Sequence, residues 1–273
     1  MNEVVERTEL LVPGPAEGLS ALLGVPLPDF AGGEGLPLLW HWLYLLDRPA
    51  QDDVGPDGHP ARGTIPAPPE PGRRRMWAGG RVETLGVLRC GEQAARRTTI
   101  LSTQTKQGRS GSLTFLAVGH QISQQGSLVV EERQDLVYRD AATSAYSEPQ
   151  DPDTPVPASS DEWSVAVSPS LLFRFSALTY NGHRIHYDRE YARDVEGYPG
   201  LVTHGPLQAV VMAEAARARA AGSVRQTFDY RLVSPLFDHQ GLIARATPDG
   251  ACIETSVRDR FGRQTAQGVL TAG

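Results

Sequence analysis

Residues 205–220 read GPLQAVVMAEAARARA, and with the segments that follow them they decide the fold. Pro206 stands in a first helical turn, where a missing backbone N–H costs nothing. Leu207, Val210, Val211 and Met212 supply an apolar stripe, and Gly222 closes the run. Downstream the pattern turns from helical to alternating. In Ser223–Val233, Val224, Phe228, Tyr230 and Leu232 share one face, while Arg225, Thr227, Asp229 and Arg231 share the other. Gly241–Ala246, Ala251–Arg258 and Arg263–Ala272 follow, separated by the turns TPDG and RFG. A helix covering one face of a four-strand antiparallel meander is an α+β unit.

The same order recurs upstream. The apolar run Leu36–Leu46, LPLLWHWLYLL, is the predicted helix of the first half. Arg97–Lys106, Ser112–Gln121 and Leu128–Tyr138 are β-branched and aromatic runs bounded by glycine turns, and they read as consecutive antiparallel strands. Two stretches read as connectors. Pro49–Gly72 is dense in Pro and Gly and reads as a surface excursion or lid, and Ser147–Pro157 is a Pro-rich acidic linker. The expected organisation is an N-terminal unit over 1–146, a linker over 147–160 and a C-terminal unit over 161–273. It amounts to two copies of one α+β unit with no residue-level repeat between them.

Composition narrows the function. The 273 residues are 40% hydrophobic and 21% charged, which is globular usage, and 28 Gly with 21 Pro imply many turns. A net charge of −6 removes the basic surface that a nucleic-acid partner needs. Of 26 basic residues only Lys106 is lysine, so individual arginines carry little information. Cys90 and Cys252 lack CxxC spacing and are expected to be reduced, buried thiols. The acidic N-terminal residues are unlike a signal peptide, which predicts a cytoplasmic protein. Leu36–Leu46 is far shorter than the roughly 20 residues needed to span a bilayer, so no membrane partner is expected.

The chemistry concentrates in Phe175–Gly205, FSALTYNGHRIHYDREYARDVEGYPGLVTHG. Asn181, His183 and His186 lie within six residues, on a loop expected between a short apolar strand and the helix at Gly205. An imidazole titrates near working pH, so His186 is the candidate general acid/base. Thr203-His204-Gly205-Pro206 opens the helix, where unpartnered N–H groups sit at the positive end of the dipole. The Gly205 N–H is thus a candidate donor to a developing oxyanion. His183, His186 and His204 also suggest a metal site, but no carboxylate or cysteine completes a familiar spacing, and no metal is expected.

The run RFSALTYNGHRIHYDREYARDVEGYPGLVTHGPLQA resembles the hydratase segment of MaoC-like hotdog proteins. In particular it resembles the branch containing mesaconyl-C4-CoA hydratase and the mitochondrial 3-hydroxyacyl thioester dehydratases. LLWHWLYLL, RRRMWAGGRVE, TKQGRSGSLTFL and EERQDLVYR resemble the degenerate N-terminal domain of that branch. The resemblance implies a double hotdog, with a CoA or carrier-protein thioester entering between the units and a homodimer as one allowed assembly. It aligns His186 with the catalytic His of an Asp-x-Asn-x-x-His loop, with Asn181 at the Asp position and His183 at the Asn position.

An amide cannot take a proton from water, so the implied scheme is altered. His186 activates the water, Asn181 holds it, and the Gly205 N–H polarises the thioester carbonyl. His183 and His204 are candidate substrate contacts, and no metal or redox cofactor is implied. Arg73–Arg75, Arg81, Lys106 and Arg109 are candidates for CoA phosphates. The implied activity is a hydro-lyase on a short or branched dicarboxylic enoyl-CoA such as mesaconyl-C4-CoA. The alternatives are a 3-hydroxyacyl-carrier-protein dehydratase and a noncatalytic thioester-binding subunit.

Overall fold

Ten strands form one antiparallel sheet in the computed structural model, which describes residues 4–63, 65, 73–108, 111–140, 154–220 and 222–273. The first five are β1 (Val5–Leu10), β2 (Arg73–Thr84), β3 (Gln93–Gly108), β4 (Gly111–Gln124) and β5 (Ser127–Asp140). The second five are β6 (Glu162–Val165), β7 (Gln226–Leu232), β8 (Leu242–Asp249), β9 (Cys252–Arg258) and β10 (Gln264–Ala272). Their spatial order is β1-β3-β4-β5-β2-β7-β10-β9-β8-β6. Read outward from its middle, each half repeats the other: β2-β5-β4-β3-β1 matches β7-β10-β9-β8-β6. The duplication inferred from element order is therefore present as topology, a double hotdog of α+β class. Of the expected linker, 147–153 lie outside the described residues. Val156 is tied down further along, its N–H donating to the Arg260 carbonyl at 2.7 Å.

The halves join where β2 pairs with β7, from Gly79 opposite Arg231 to Thr84 opposite Gln226. The glycine pair of the RRRMWAGGRVE motif makes this approach possible. A Cβ on Gly79 would lie 2.4 Å from the Tyr230 carbonyl oxygen, and one on Gly80 2.3 Å from that of Arg133. Trp77 then donates from its indole N–H to the Tyr230 hydroxyl at 2.9 Å across the seam.

Helix α3 (Gly205–Arg217) forms where the Ala-rich run predicts it, and buries Leu207, Ala209, Val210, Val211, Met212, Ala213 and Ala216 against β8, β9 and β10. Its buried Gln208 is satisfied by the Thr265 hydroxyl, which donates at 2.7 Å. Val224, expected on the inner face, is exposed ahead of β7.

Three local expectations are corrected. Leu36–Leu46 is not a helix; only Trp40–Leu43 makes a 3-10 turn. Pro37 precedes it, Leu39 (φ 69°) and Leu45 (φ 55°) are left-handed at either side, and the polar tips diverge. Trp40 donates to Glu214 on α3 at 2.8 Å, while Trp42 at 2.8 Å and His41 at 3.1 Å donate to Glu132 on β5. The first unit's helix is α1 (Pro13–Leu23), with its prolines in the first turn, Ala16, Leu19, Leu22 and Leu23 buried, and Gly24 as left-handed cap. Third, α2 (Pro169–Leu178), rather than a strand, precedes the histidine loop. Ser168 caps it by accepting from the Leu171 N–H at 3.1 Å. Cys90 and Cys252 are free but only half-buried.

By the repeat, the counterpart of α3 falls between α1 and β2, where no long helix is present among the described residues. The face of β2, β4 and β5 that it would cover borders a cavity of about 950 Å³.

Candidate active site

The cavity lies between the units. Trp77, Ile122, Glu132 and Leu136 of the first unit line one side, and Phe173, Phe175, Asn181 and Pro206 of the second line the other. Its size suits a small or medium ligand.

The histidine loop is held by its own backbone. Asn181 Oδ1 accepts from the His183 N–H at 3.0 Å, so the amide NH₂ is left as a donor at the cavity wall. A 3-10 turn over Arg184–His186 follows. His186 Nδ1–H donates to the Val202 carbonyl at 2.7 Å, and the Val202 N–H donates to the Ile185 carbonyl at 3.0 Å, which locks the ring to the strand-like segment before α3. This leaves the lone pair on His186 Nε2. Burial is the main cause that pushes His186 down to about 4, so at neutral pH the ring is an uncharged base.

Of the sequence-predicted residues, Asn181 lines the cavity, while His183 and His186 sit just behind it, each 7% exposed. Their rings meet edge to face at 5.5 Å. His204 does not meet the expectation of a substrate contact. It is fully buried behind His186, stacked at 3.6 Å, and shares a 2.8 Å hydrogen bond with Ser176 Oγ. Burial and the neighbouring His186 hold it well below the usual imidazole range, so it supports His186 as a neutral ring. Gly205 opens α3, and its N–H makes no hydrogen bond among the described residues. Its lack of a side chain has a packing reason, because a Cβ would lie 2.2 Å from Leu232 Cδ1.

The arginine cluster expected for CoA phosphates is not assembled. Arg74 pairs with Glu196 and Arg81 with Asp229, both at 2.6 Å, and Lys106 sits over the Phe115 ring. Arg109 and the Arg73 side chain lie outside the described residues. Arg75 differs from the rest. It lines the cavity and forms no ion pair among the described residues. Burial lowers its pKa, and only Tyr138 and, more weakly, Asp57 favour its charge.

Sequence reasoning missed one feature altogether. The Pro-rich excursion reaches back onto the histidine loop, and His59 lines the cavity with its ring 4.0 Å from that of His183. Asp57 Oδ2 accepts from His59 Nδ1–H at 3.0 Å, and Asp57 Oδ1 accepts from the His59 N–H at 3.0 Å. Nothing in the local pattern PDGHP marks a contact with residues more than a hundred positions away. Asp57, His59 and His183 bring one donor atom each within 4.8 Å of one another. With His59 Nδ1 spent on Asp57 and the Arg75 charge acting on both imidazoles, the group suits a hydrogen-bonded dyad better than a cation.

Comparison with known proteins gives the family. The family model for hydroxyacyl-thioester dehydratase type 2 matches residues 39–238. The mesaconyl-C(4)-CoA hydratase of Chloroflexus aurantiacus is 43% identical over 250 residues, covering 92% of this chain and 87% of that protein. A MaoC-like dehydratase from Phytophthora capsici superposes with TM-score 0.72 at 16% identity, over 100% of this chain and 95% of that one. A Mycobacterium tuberculosis protein described as a double hotdog fold superposes with TM-score 0.57 at 14% identity, over 99% and 95%. No helix among the described residues is long and apolar enough to cross a membrane. With a family model matching most of its length and a 43% identical hydratase covering nearly all of it, the chain belongs to the hydroxyacyl-thioester dehydratase type 2 family and is a hydratase/dehydratase of acyl thioesters.

Proposed function

We propose that the protein hydrates a short, branched 2-enoyl-CoA that carries a second carboxylate on its β-carbon, of the mesaconyl-C4-CoA type. One observation carries this reading: Arg75, hydrogen-bonded to Tyr138 but with no ion pair among the described residues, brings a guanidinium to the cavity that Asn181 lines. A CoA phosphate sits at the far end of the long pantetheine arm, whereas a carboxylate on the β-carbon lies beside the reacting centre. A cation close enough to depress the His59 and His183 pKa values fits the second. The name of the Chloroflexus relative supports the same substrate class.

In the addition, the water oxygen bonds to the β-carbon while His186 Nε2 takes one of its protons. The C=C electron pair moves toward the thioester, whose carbonyl oxygen accepts from the Gly205 N–H, and the Asn181 NH₂ holds the incoming oxygen. The α-carbon then receives a proton. No electrons are exchanged with a partner, so the reading includes no redox cofactor; the base is an imidazole, so it includes no metal, and it includes a cytoplasmic setting.

The test is loss of enoyl-thioester absorbance with mesaconyl-C4-CoA, itaconyl-CoA, crotonyl-CoA and a longer 2-enoyl-CoA, each beside His186→Ala. Fastest loss with the dicarboxylic thioester, reduced roughly 10²- to 10⁴-fold in a folded variant, is expected. A preference for the long monocarboxylic chain would overturn the substrate assignment.

A further inference from the structure

Hydration moves two protons, one off the water and one onto the α-carbon, and Asn181 can do neither. The proposed addition assigns the first to His186. We propose that His59, held by Asp57, is the catalytic group that exchanges the second proton with the α-carbon. This rests on the reading of the cavity as a hydratase site.

Three independent features support it. First, His59 faces the cavity with 18% of its side chain exposed, whereas His183 and His186 stand behind the wall. Second, its tautomer is fixed. Nδ1–H donates to Asp57 Oδ2, so Nε2 is the free nitrogen, and the carboxylate behind the ring stabilises the imidazolium that forms when Nε2 gains a proton. Third, the dyad is bolted to the histidine loop. The Arg184 N–H donates to the Asp57 carbonyl at 2.9 Å and Arg184 Nη1 to the Pro56 carbonyl at 3.1 Å. Gly58 and Gly182 pass so closely that a Cβ on Gly58 would lie 1.8 Å from the Gly182 oxygen, and Gly58 has φ +88°. Both glycines are needed for this contact, so the excursion is fitted to the loop rather than resting near it.

The step balances without a co-reactant. His186 takes a proton from water as its oxygen bonds to the β-carbon. That proton passes through water in the cavity to His59 Nε2. His59 gives it to the α-carbon as the enolate collapses to the thioester. One hydrogen of the water ends on the hydroxyl and the other on the α-carbon, and all imidazoles return to neutral.

The experiment uses the full chain and whichever thioester of the panel the wild-type protein turns over fastest. If wild type hydrates none of them, the hydratase reading fails; the outcomes below presuppose that it does. His59→Gln is expected to lose roughly 10²- to 10⁴-fold in kcat with KM little changed. In D₂O the variant is expected to lose the exchange of solvent deuterium into the α-carbon of added hydroxyacyl thioester that wild type catalyses. His59→Gly is expected to regain turnover with added imidazole, which can reach the vacated site from the cavity. Asp57 is a positioning residue, and Asp57→Asn is expected to lower kcat and not KM. The inference is overturned if His59→Gln keeps kcat within twofold of wild type. It is equally overturned if folded His59→Gly shows no imidazole rescue, or if wild type copurifies with one Zn²⁺ per chain and loses activity to EDTA.

Discussion

Replacing Arg75 by Gln removes a cation from the cavity without removing the bulk that lines it. Because Arg75 forms no ion pair among the described residues, the change leaves no protein carboxylate stranded, and the effect falls on the substrate. Breaking a buried ion pair by removing one partner costs roughly 3–5 kcal/mol. Arg75 is only half-buried and the cavity admits water, so the lower end applies. At about 1.4 kcal/mol per factor of ten, kcat/KM for the dicarboxylic thioester is expected to fall about 10²-fold. Crotonyl-CoA carries a hydrogen where that carboxylate stands, so its kcat/KM is expected to hold or rise. The assay is absorbance loss at several concentrations of each thioester, reported as the ratio of the two kcat/KM values. Arg75→Lys keeps the charge but loses the planar fork, and an intermediate ratio is expected. A ratio unchanged within twofold in Arg75→Gln would refute the reasoning.

Two further outcomes follow from the same geometry. Burial depresses His59 and His186 to about 4, so these rings are neutral when folded but protonated below about 6.5 when unfolded. The unfolded state then binds more protons between those values. Stability is therefore full above pH 6.5 and lost as pH falls toward 4, by at most about 1.4 kcal/mol per pH unit for each ring; a urea midpoint flat across that window would contradict this. Within the first unit, Gly80→Ala sets a Cβ 2.3 Å from the Arg133 carbonyl and forces β2 away from β5. A loss of about 1–3 kcal/mol is expected in thermal unfolding, and an unchanged Tm would mean that the strands have slack.

What the sequence made legible follows from the range of the forces involved. Strands β3, β4, β5, β7 and β10 carry their alternation locally, and α3 carries both its stripe and its proline start, so each reads from its own residues. The histidine loop was legible for the same reason. Helix α1 was not, because PGPAEGLSALL has two prolines and two glycines. It forms because Leu19, Leu22 and Leu23 find a core and Gly18 lets Leu178 of α2 approach within 2.8 Å of where a Cβ would be. LLWHWLYLL misled in the opposite direction. A run apolar all round has no face to orient a helix, and hydrogen bonds from Trp40 to Glu214 and from Trp42 to Glu132 drew it into a 3-10 turn. His59 was invisible because its partners His183 and Gly182 lie in the other unit.

The two units contribute unlike parts to one site. The second keeps its long helix, and with it the Gly205 N–H and the carbonyl of Val202 that fixes His186. Among the described residues the first has no helix on the corresponding face, which leaves the cavity open, and its excursion and central strand bring His59 and Arg75 to that space. A duplicated fold with both helices in place would fill both concave faces and leave two shallow clefts. Emptying one face creates depth on the side of the seam opposite the base, so the substrate must bridge the units. Since β2 and β7 are hydrogen-bonded neighbours, the strand that carries Arg75 and the strand that follows α3 are parts of one sheet. Their spacing is set by backbone pairing rather than by the packing of two separate domains, which is the rigidity that placing a water between base and β-carbon requires.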